Sequence, residues 1–305
     1  MPLTCHPYAA PHDLDVLLAF LRQIRPPERA ADFPSAIDLR ELLALSQVQA
    51  DTALWRNAAG QLAAYSLVDQ YNNLLFEWDP QLISPDLPGE IIAWGVARRR
   101  ARPAEDDETP TLDASCSADN LERIALLEAH GFVREPVYSI HLARDLSAPI
   151  SQPVLPPGFT IRPAGGAAEA EAWVVLHRAA FGTERMELEE RLAMLAEPEY
   201  DPQLDLVAVA PDGRLAAYCM VQISREENAR TGRSEGYTDP VATHPDFQRR
   251  GLARALLLTG LHLLKDRGIA TALMGTSSEN TPMLETARSV GFGVVSTGVW
   301  FSKPV

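Results

Sequence analysis

Gln248-Arg249-Arg250-Gly251-Leu252-Ala253 separates a run rich in β-formers, Gly236–Thr243, from a run, Leu252–Leu264, whose apolar residues lie all round a helix. A turn between strand and helix, with Gly251 in its tight bend, leaves the first backbone N–H groups of the helix without intrahelical partners. Those donors and the positive helix end make a site for phosphate. Arg249 and Arg250 add fixed charge and forked donors. The stretch reads as a pyrophosphate cradle at a strand–helix junction. It is not one of the common cradles, because there is no GxxxxGK[ST] and no GxGxxG opens a helix. On these six residues alone a solvated turn is the competing reading, so the rest of the chain has to decide.

A length of 305 residues suits two domains of about 150 better than one. With 46% hydrophobic and 22% charged residues the composition is that of a globular protein. The start, Met1-Pro2-Leu3-Thr4-Cys5-His6-Pro7, lacks the basic and apolar regions of a signal peptide. No apolar run reaches the ~20 residues that span a bilayer. Cys5, Cys116 and Cys219 show neither a pairing scheme nor metal-ligand spacing, which leads us to expect a reducing cytoplasm and no metal. A net charge of −14 argues against nucleic acid and anionic membranes as partners. It suits a cationic substrate such as an amine, and equally suits simple solubility.

The chain repeats itself. Asn120 precedes Gly131-Phe132 by eleven residues, and Asn280 precedes Gly291-Phe292 by the same step. Asp79-Pro80 and Asp239-Pro240 keep the same separation of 160. Upstream, Gly60-Gln61-Leu62-Ala63-Ala64-Tyr65 mirrors Gly213-Arg214-Leu215-Ala216-Ala217-Tyr218, and Thr4 and Pro7 match Thr160 and Pro163. Several matches in one order indicate two copies of one unit. We expect domains over residues 1–146 and 159–305, joined by a proline-rich linker over 147–158.

In the second copy we expect a strand at Phe159–Arg162, helices near Ala167–Ala180 and Arg185–Leu195, and strands at Leu206–Ala210 and Leu215–Ile223. The cradle strand and cradle helix follow, then a strand at Ala272–Thr276, a helix at Pro282–Val290 and a strand near Val294–Phe301. This alternation is an α/β (α+β) unit around a mixed sheet, with a ligand crevice at the C-terminal end of a central strand.

The run Val241-Ala242-Thr243-His244-Pro245-Asp246-Phe247-Gln248-Arg249-Arg250-Gly251-Leu252-Ala253 resembles the acyl-CoA signature of the GNAT superfamily of N-acetyltransferases. Asn280 with Gly291-Phe292 resembles that superfamily's second signature, and the blocks cover most of Gly236–Phe292. The resemblance implies two tandem GNAT-like domains, each with a mixed, mostly antiparallel sheet flanked by helices. It further implies that Val241, Ala242 and Thr243 lie along the pantetheine arm of acetyl-CoA, with the backbone of Val241 and Thr243 bonding it. Gln248, Arg249, Arg250, Gly251, Leu252, Ala253 and Arg254 would cap the pyrophosphate, although Ala253 stands where glycine is common. Asn280 would bond the arm as well, unless it is a plain helix cap.

Acyl transfer to an amine needs a base or a water chain, since an ammonium cannot attack, and a donor for the oxyanion. The superfamily's usual tyrosine acid falls at Ala287, and its usual glutamate base falls at Tyr237. Period-two geometry places Glu235, Tyr237 and Asp239 on one strand face, making these three the candidate catalytic residues. Each has a structural alternative: a solvated strand start, a core aromatic and a turn residue.

In the first copy the cradle is replaced by Leu82-Ile83-Ser84-Pro85-Asp86-Leu87-Pro88-Gly89-Glu90, with no arginine pair, so a copy that has lost acyl-CoA binding is expected. Arg98-Arg99-Arg100-Ala101-Arg102 before Glu105-Asp106-Asp107-Glu108 reads as a helix end and an exposed loop. His244-Pro245-Asp246 lacks the G-x-S-x-G elbow of a hydrolase. The half-degenerate tandem also resembles the mycothiol-synthase group. The expected activity is acetyl-CoA-dependent transfer to the primary amine of a small molecule, by a monomer or homodimer. The alternative is an acyl-CoA-binding sensor or scaffold without turnover. The acceptor pocket is expected near Phe181–Met194 and in a loop over Ser224–Arg233.

Overall fold

Two short segments, Leu62–Val68 and Leu215–Met220, are buried at every position, as strands covered on both faces are. Each lies inside one of the two units of the computed structural model, Met1–Tyr138 with Gly298–Val305, and Ser139–Thr297. The structure describes residues 3–32, 34–82, 84–103 and 109–305. Met1, Pro2, Ile83 and the acidic run Glu105–Glu108 of the sequence reading lie outside the described residues.

The first unit runs β1 (Thr4–Pro7), α1 (His12–Ile24), α2 (Ala36–Ala44), α3 (Ser46–Ala50), β2 (Thr52–Arg56), β3 (Leu62–Val68), β4 (Leu74–Trp78), α4 (Leu87–Ala101), β5 (Thr111–Ser117), α5 (Leu121–Ala129) and β6 (Val133–Asp145). The second follows the same plan with one helix fewer after its first strand and with α8 and β10 added: β7 (Thr160–Pro163), α6 (Ala170–Phe181), α7 (Leu188–Ala196), β8 (Asp205–Val209), β9 (Leu215–Met220), α8 (Arg225–Thr231), β10 (Glu235–Tyr237), β11 (Val241–Thr243), α9 (Leu252–Asp266), β12 (Thr271–Ser277), α10 (Thr281–Ser289) and β13 (Gly293–Pro304). The antiparallel order β1-β2-β3-β4 recurs as β7-β8-β9-β11. Even the irregularities correspond. The β2–β3 register slips between Trp55 and Arg56, and the β8–β9 register slips between Ala208 and Val209. Tyr65 and Tyr218, matched in the hairpin repeat, are both fully buried.

The last strand of each copy leaves it. Ser139–Asp145 of β6 pair with β12 and belong to the second unit, whereas Gly298–Pro304 of β13 pair with β5 and belong to the first. Between β6 and β7 the chain has no helix or strand. Ile150 and Leu155 there pack against the second unit's core, and Pro149 accepts from the Arg144 guanidinium at 2.9 Å.

In the second unit, α6 packs through Trp173, Val174 and Leu176 on the face of Val207, Tyr218, Met220 and Ala242. The opposite face, with Leu206, Ala208, Ala217 and Cys219, is covered by α9 through Leu256, Leu257 and Leu261. Two glycines let α9 come close. A Cβ at Gly260 would stand 2.8 Å from Val221 Cγ2, and one at Gly236 would meet Leu264.

Two features depart from the sequence reading. The strand expected over Gly236–Thr243 is divided at Thr238–Pro240 into β10 and β11, where Pro240 has no N–H to give a ladder. The segment expected as a loop over Ser224–Arg233 contains α8. Ser224 Oγ accepts from the Glu227 N–H, so Ser224-x-x-Glu227 is a capping signal that composition had masked.

Candidate functional site

The division of the cradle strand opens the site. Upstream, β10 runs parallel to β12 and pairs with it through Tyr237 and Leu273, and the Thr238 N–H still donates to Leu273. Downstream, β11 pairs with β9 and has left β12. Asp239 sits where they part. Its Oδ2 accepts the Gly275 N–H of β12 at 3.1 Å, supplying the partner that the diverging strand no longer offers. The Met220 N–H donates to Pro240 and the His244 N–H to Ala216. Antiparallel alternation therefore turns the backbone of Ala242 toward β9 and that of Val241 and Thr243 away from it, into the gap.

The gap continues into the cradle. After a 3-10 turn at Pro245–Phe247, Arg249 adopts φ 62° and Gly251 φ 80°. A left-handed arginine is uncommon and costs about 1–3 kcal/mol, a cost usually found at functional sites. Here it shapes the turn so that N–H groups converge as an anion nest. Gly251 caps α9 without a side chain, the first helical bond runs from Ala255 to Gly251, and the first turn carries no acid. The N–H groups of Leu252, Ala253 and Arg254 thus remain available to an anion.

A groove of about 610 Å³ follows these features. Of the residues expected at the acyl-CoA site, Val241, Thr243, Gln248, Arg249, Gly251, Leu252, Ala253, Arg254 and Asn280 line it. Ala242 is buried against α6. Arg250 lies over the Phe247 ring at 5.7 Å, its Nη2 donating to Asp246 at 3.4 Å. Asn280 caps α10, its Oδ1 accepting from the Met283 N–H at 3.2 Å, and also faces the groove. Sequence reasoning missed the far wall, Pro282, Met283, Glu285, Thr286 and Ser289 of α10, although their helical spacing after Asn280 puts them on one face.

Glu235 and Tyr237 share a strand face, but Asp239 lies beyond the end of that strand. Gly236 faces α9, so Glu235 and Tyr237 point the other way. Glu235 lies 3.7 Å from Arg233, with its backbone held by Asn228. Tyr237 is 38% exposed. Asp239 is turned toward β12, where it is held by the Gly275 N–H. Ala287, at the position of the expected acid, is completely buried. His244 Nδ1 accepts from the Asp246 N–H and Asp246 pairs with Arg214 at 2.9 Å, which is turn chemistry. Among the described residues no group of three His, Cys, Asp or Glu could hold a metal.

The model of the acetyltransferase (GNAT) family matches residues 170–292. A mycothiol acetyltransferase of Salinispora arenicola is 30% identical over 215 residues, 68% of this chain and 68% of that protein. The chain belongs to the GNAT family of acetyltransferases. A mycothiol acetyltransferase of Cellulomonas flavigena is 31% identical over 163 residues, 51% of this chain, so the match spans about half (47%) of that relative. A tandem GNAT protein from the clavulanic acid biosynthesis pathway superposes with a TM-score of 0.71 at 16% identity, covering 99% of this chain and 98% of its own. The tandem GNAT fold thus extends over the whole molecule.

The first GNAT unit is built differently at the same place. Its α4 begins with Asp86, Pro88 and the first-turn acid Glu90, which offer phosphate repulsion in place of a nest. Arg123, which stands 160 residues before the groove residue Met283, bonds Glu77 at 2.6 Å and covers the rings of Phe76 and Trp78 at 4.2 and 5.0 Å. Above them Arg29 bonds Asp119 at 3.2 Å. The basic run at the end of α4 is structural, with Arg99 donating to Thr111 and Arg102 to Asp51. No helix among the described residues is long and apolar enough to cross a membrane.

Proposed function

We propose that the chain is an acetyl-CoA-dependent N-acetyltransferase acting on the primary amine of a small molecule, with its active site in the second unit. The observation that carries this reading is the parting of β11 from β12 directly ahead of the cradle. There, backbone groups of Val241 and Thr243 face the same groove as the N–H groups of α9. Those residues fit the arm and the pyrophosphate of acetyl-CoA, with Arg249 and Arg254 adding charge-assisted bonds. Acetyl-CoA supplies the activated acyl group. The protein's part is to orient it, exclude water and receive the amine's proton.

Asp239 is the carboxylate best placed for that proton. It is two residues from Val241, whereas Glu235 is six residues away, on the other side of the division between β10 and β11. Asp239→Asn keeps an oxygen for the Gly275 N–H, so it tests the chemistry with little change in packing. It is expected to lower kcat by about 10²–10⁴ with acetyl-CoA binding unchanged, while Glu235→Gln stays near wild type. The reverse ranking would move the base to Glu235. The buried Ala287, which leaves the thiolate without the usual acid, favours a second reading as an acyl-CoA sensor. Thiol release from acetyl-CoA across a broad amine panel decides between them, since tight CoA binding with no release anywhere would leave only the sensor.

A further inference from the structure

The two copies supply an internal comparison at their shared tyrosine. In the first unit, which lacks the cradle, Tyr65 is fully buried among apolar residues of α1, including Leu17 and Leu21, and its hydroxyl has no hydrogen-bond partner among the described residues. In the second unit, whose groove is open, the matching Tyr218 is bonded at 2.8 Å to Nδ1 of His177 on α6. The fold therefore tolerates this tyrosine without a histidine. The copy that carries the cradle has one.

His177 lies one turn of α6 before Phe181, a residue of the groove wall. It is stacked between Trp173 and Phe181, with ring centroids at 5.5 and 4.6 Å, the three residues being spaced by four along one face of α6. Phe181 is 51% exposed and lines the groove. Tyr218 is wholly buried and is the register partner of Ala242, between the groove residues Val241 and Thr243. Tyr218 occupies the Nδ1 edge of the half-buried ring, which leaves the Nε2 edge for another partner. Burial holds the imidazole neutral, with its pKa lowered to about 4.

We propose that His177 binds the acceptor amine, with Nδ1–H donating to Tyr218 and Nε2 accepting a hydrogen bond from the amine beside Phe181. A carboxylate in this position would stabilise the ammonium and so suppress the nucleophilic form. A neutral imidazole orients the amine without that penalty. The inference rests on the proposed acetyltransferase reading of the same groove.

The test uses the full chain, with thiol release from acetyl-CoA measured against glucosamine, putrescine and glycinamide, and the fastest of these amines carried forward. His177→Phe is expected to raise the KM for that amine at least tenfold, with the KM for acetyl-CoA within threefold of wild type. His177→Gln, which restores one polar atom, is expected to recover part of the loss. Tyr218→Phe is expected to move the amine KM in the same direction. An unchanged amine KM in His177→Phe overturns the proposal, as does an equal rise in both KM values, which would mark a packing role. Should His177→Phe not fold, His177→Gln decides by the same split between substrates. If wild type releases no thiol with any amine, the acetyltransferase reading fails and takes this inference with it. If only the variants behave as wild type, the inference alone fails.

Discussion

Single side chains at this site are held in unusual settings, and the settings say what each can do. Asp239 serves first as a structural acceptor where two strands separate, and that tie fixes its carboxylate two residues before the groove residue Val241. His177 is an instance of burial deciding protonation. A free histidine titrates near 6.5, whereas this one is lowered to about 4. Between those values the unfolded chain takes up a proton that the folded protein refuses. The contribution is therefore complete above about 6.5 and is lost as pH falls toward 4. In a histidine NMR titration the signal that disappears in His177→Gln is expected to have its midpoint near 4, and a midpoint above about 6 would contradict the burial argument. Asn280 shows how two readings of one residue can both apply, since a helix cap that faces a groove remains available to a ligand.

At the scale of elements, the close approach of α9 to the sheet is what aims the cradle. Gly260 makes that approach possible, because a side chain there would collide with Val221. Gly260→Val is expected to cost about 1–3 kcal/mol through overpacking and to lower Tm by roughly 2–10 °C. A melting curve matching wild type would show that α9 has room to spare. Much of this level was legible in the sequence. The repeat located both tyrosines, both hairpins and the helix opening at Leu252, because turn residues and hydrophobic period are local signals. The division of the strand at Thr238–Pro240 was not, since it depends on how two neighbours, β9 and β12, diverge around one strand. Nor was the pairing of His177 with Tyr218, forty-one residues apart. The α10 wall was readable from helical spacing and was overlooked in favour of the signature asparagine.

For the molecule as a whole, the second unit carries the cradle and its groove, whereas the first has Asp86, Pro88 and Glu90 at the matching helix start. One CoA per chain is expected by titration calorimetry. Arg254→Glu is expected to weaken that binding at least tenfold, about 1.4 kcal/mol or more. A second, full-strength site surviving in that variant would mean that the first unit still binds CoA despite Asp86 and Glu90. The net charge of −14 makes the arginines of the cradle a local exception in an acidic protein, and it speaks for solubility before specificity. The exchange of last strands has a consequence during synthesis. Because β5 pairs with Gly298–Pro304, the half of the protein made first cannot finish folding when it leaves the ribosome. It must wait, with one edge of β5 open to unwanted pairing, until all of the second unit has been translated. Residues 139–145, by contrast, are already in place when the second unit begins to emerge. The half that carries the cradle can thus close first, and the older half of the nascent chain is sealed by the last strand to be made.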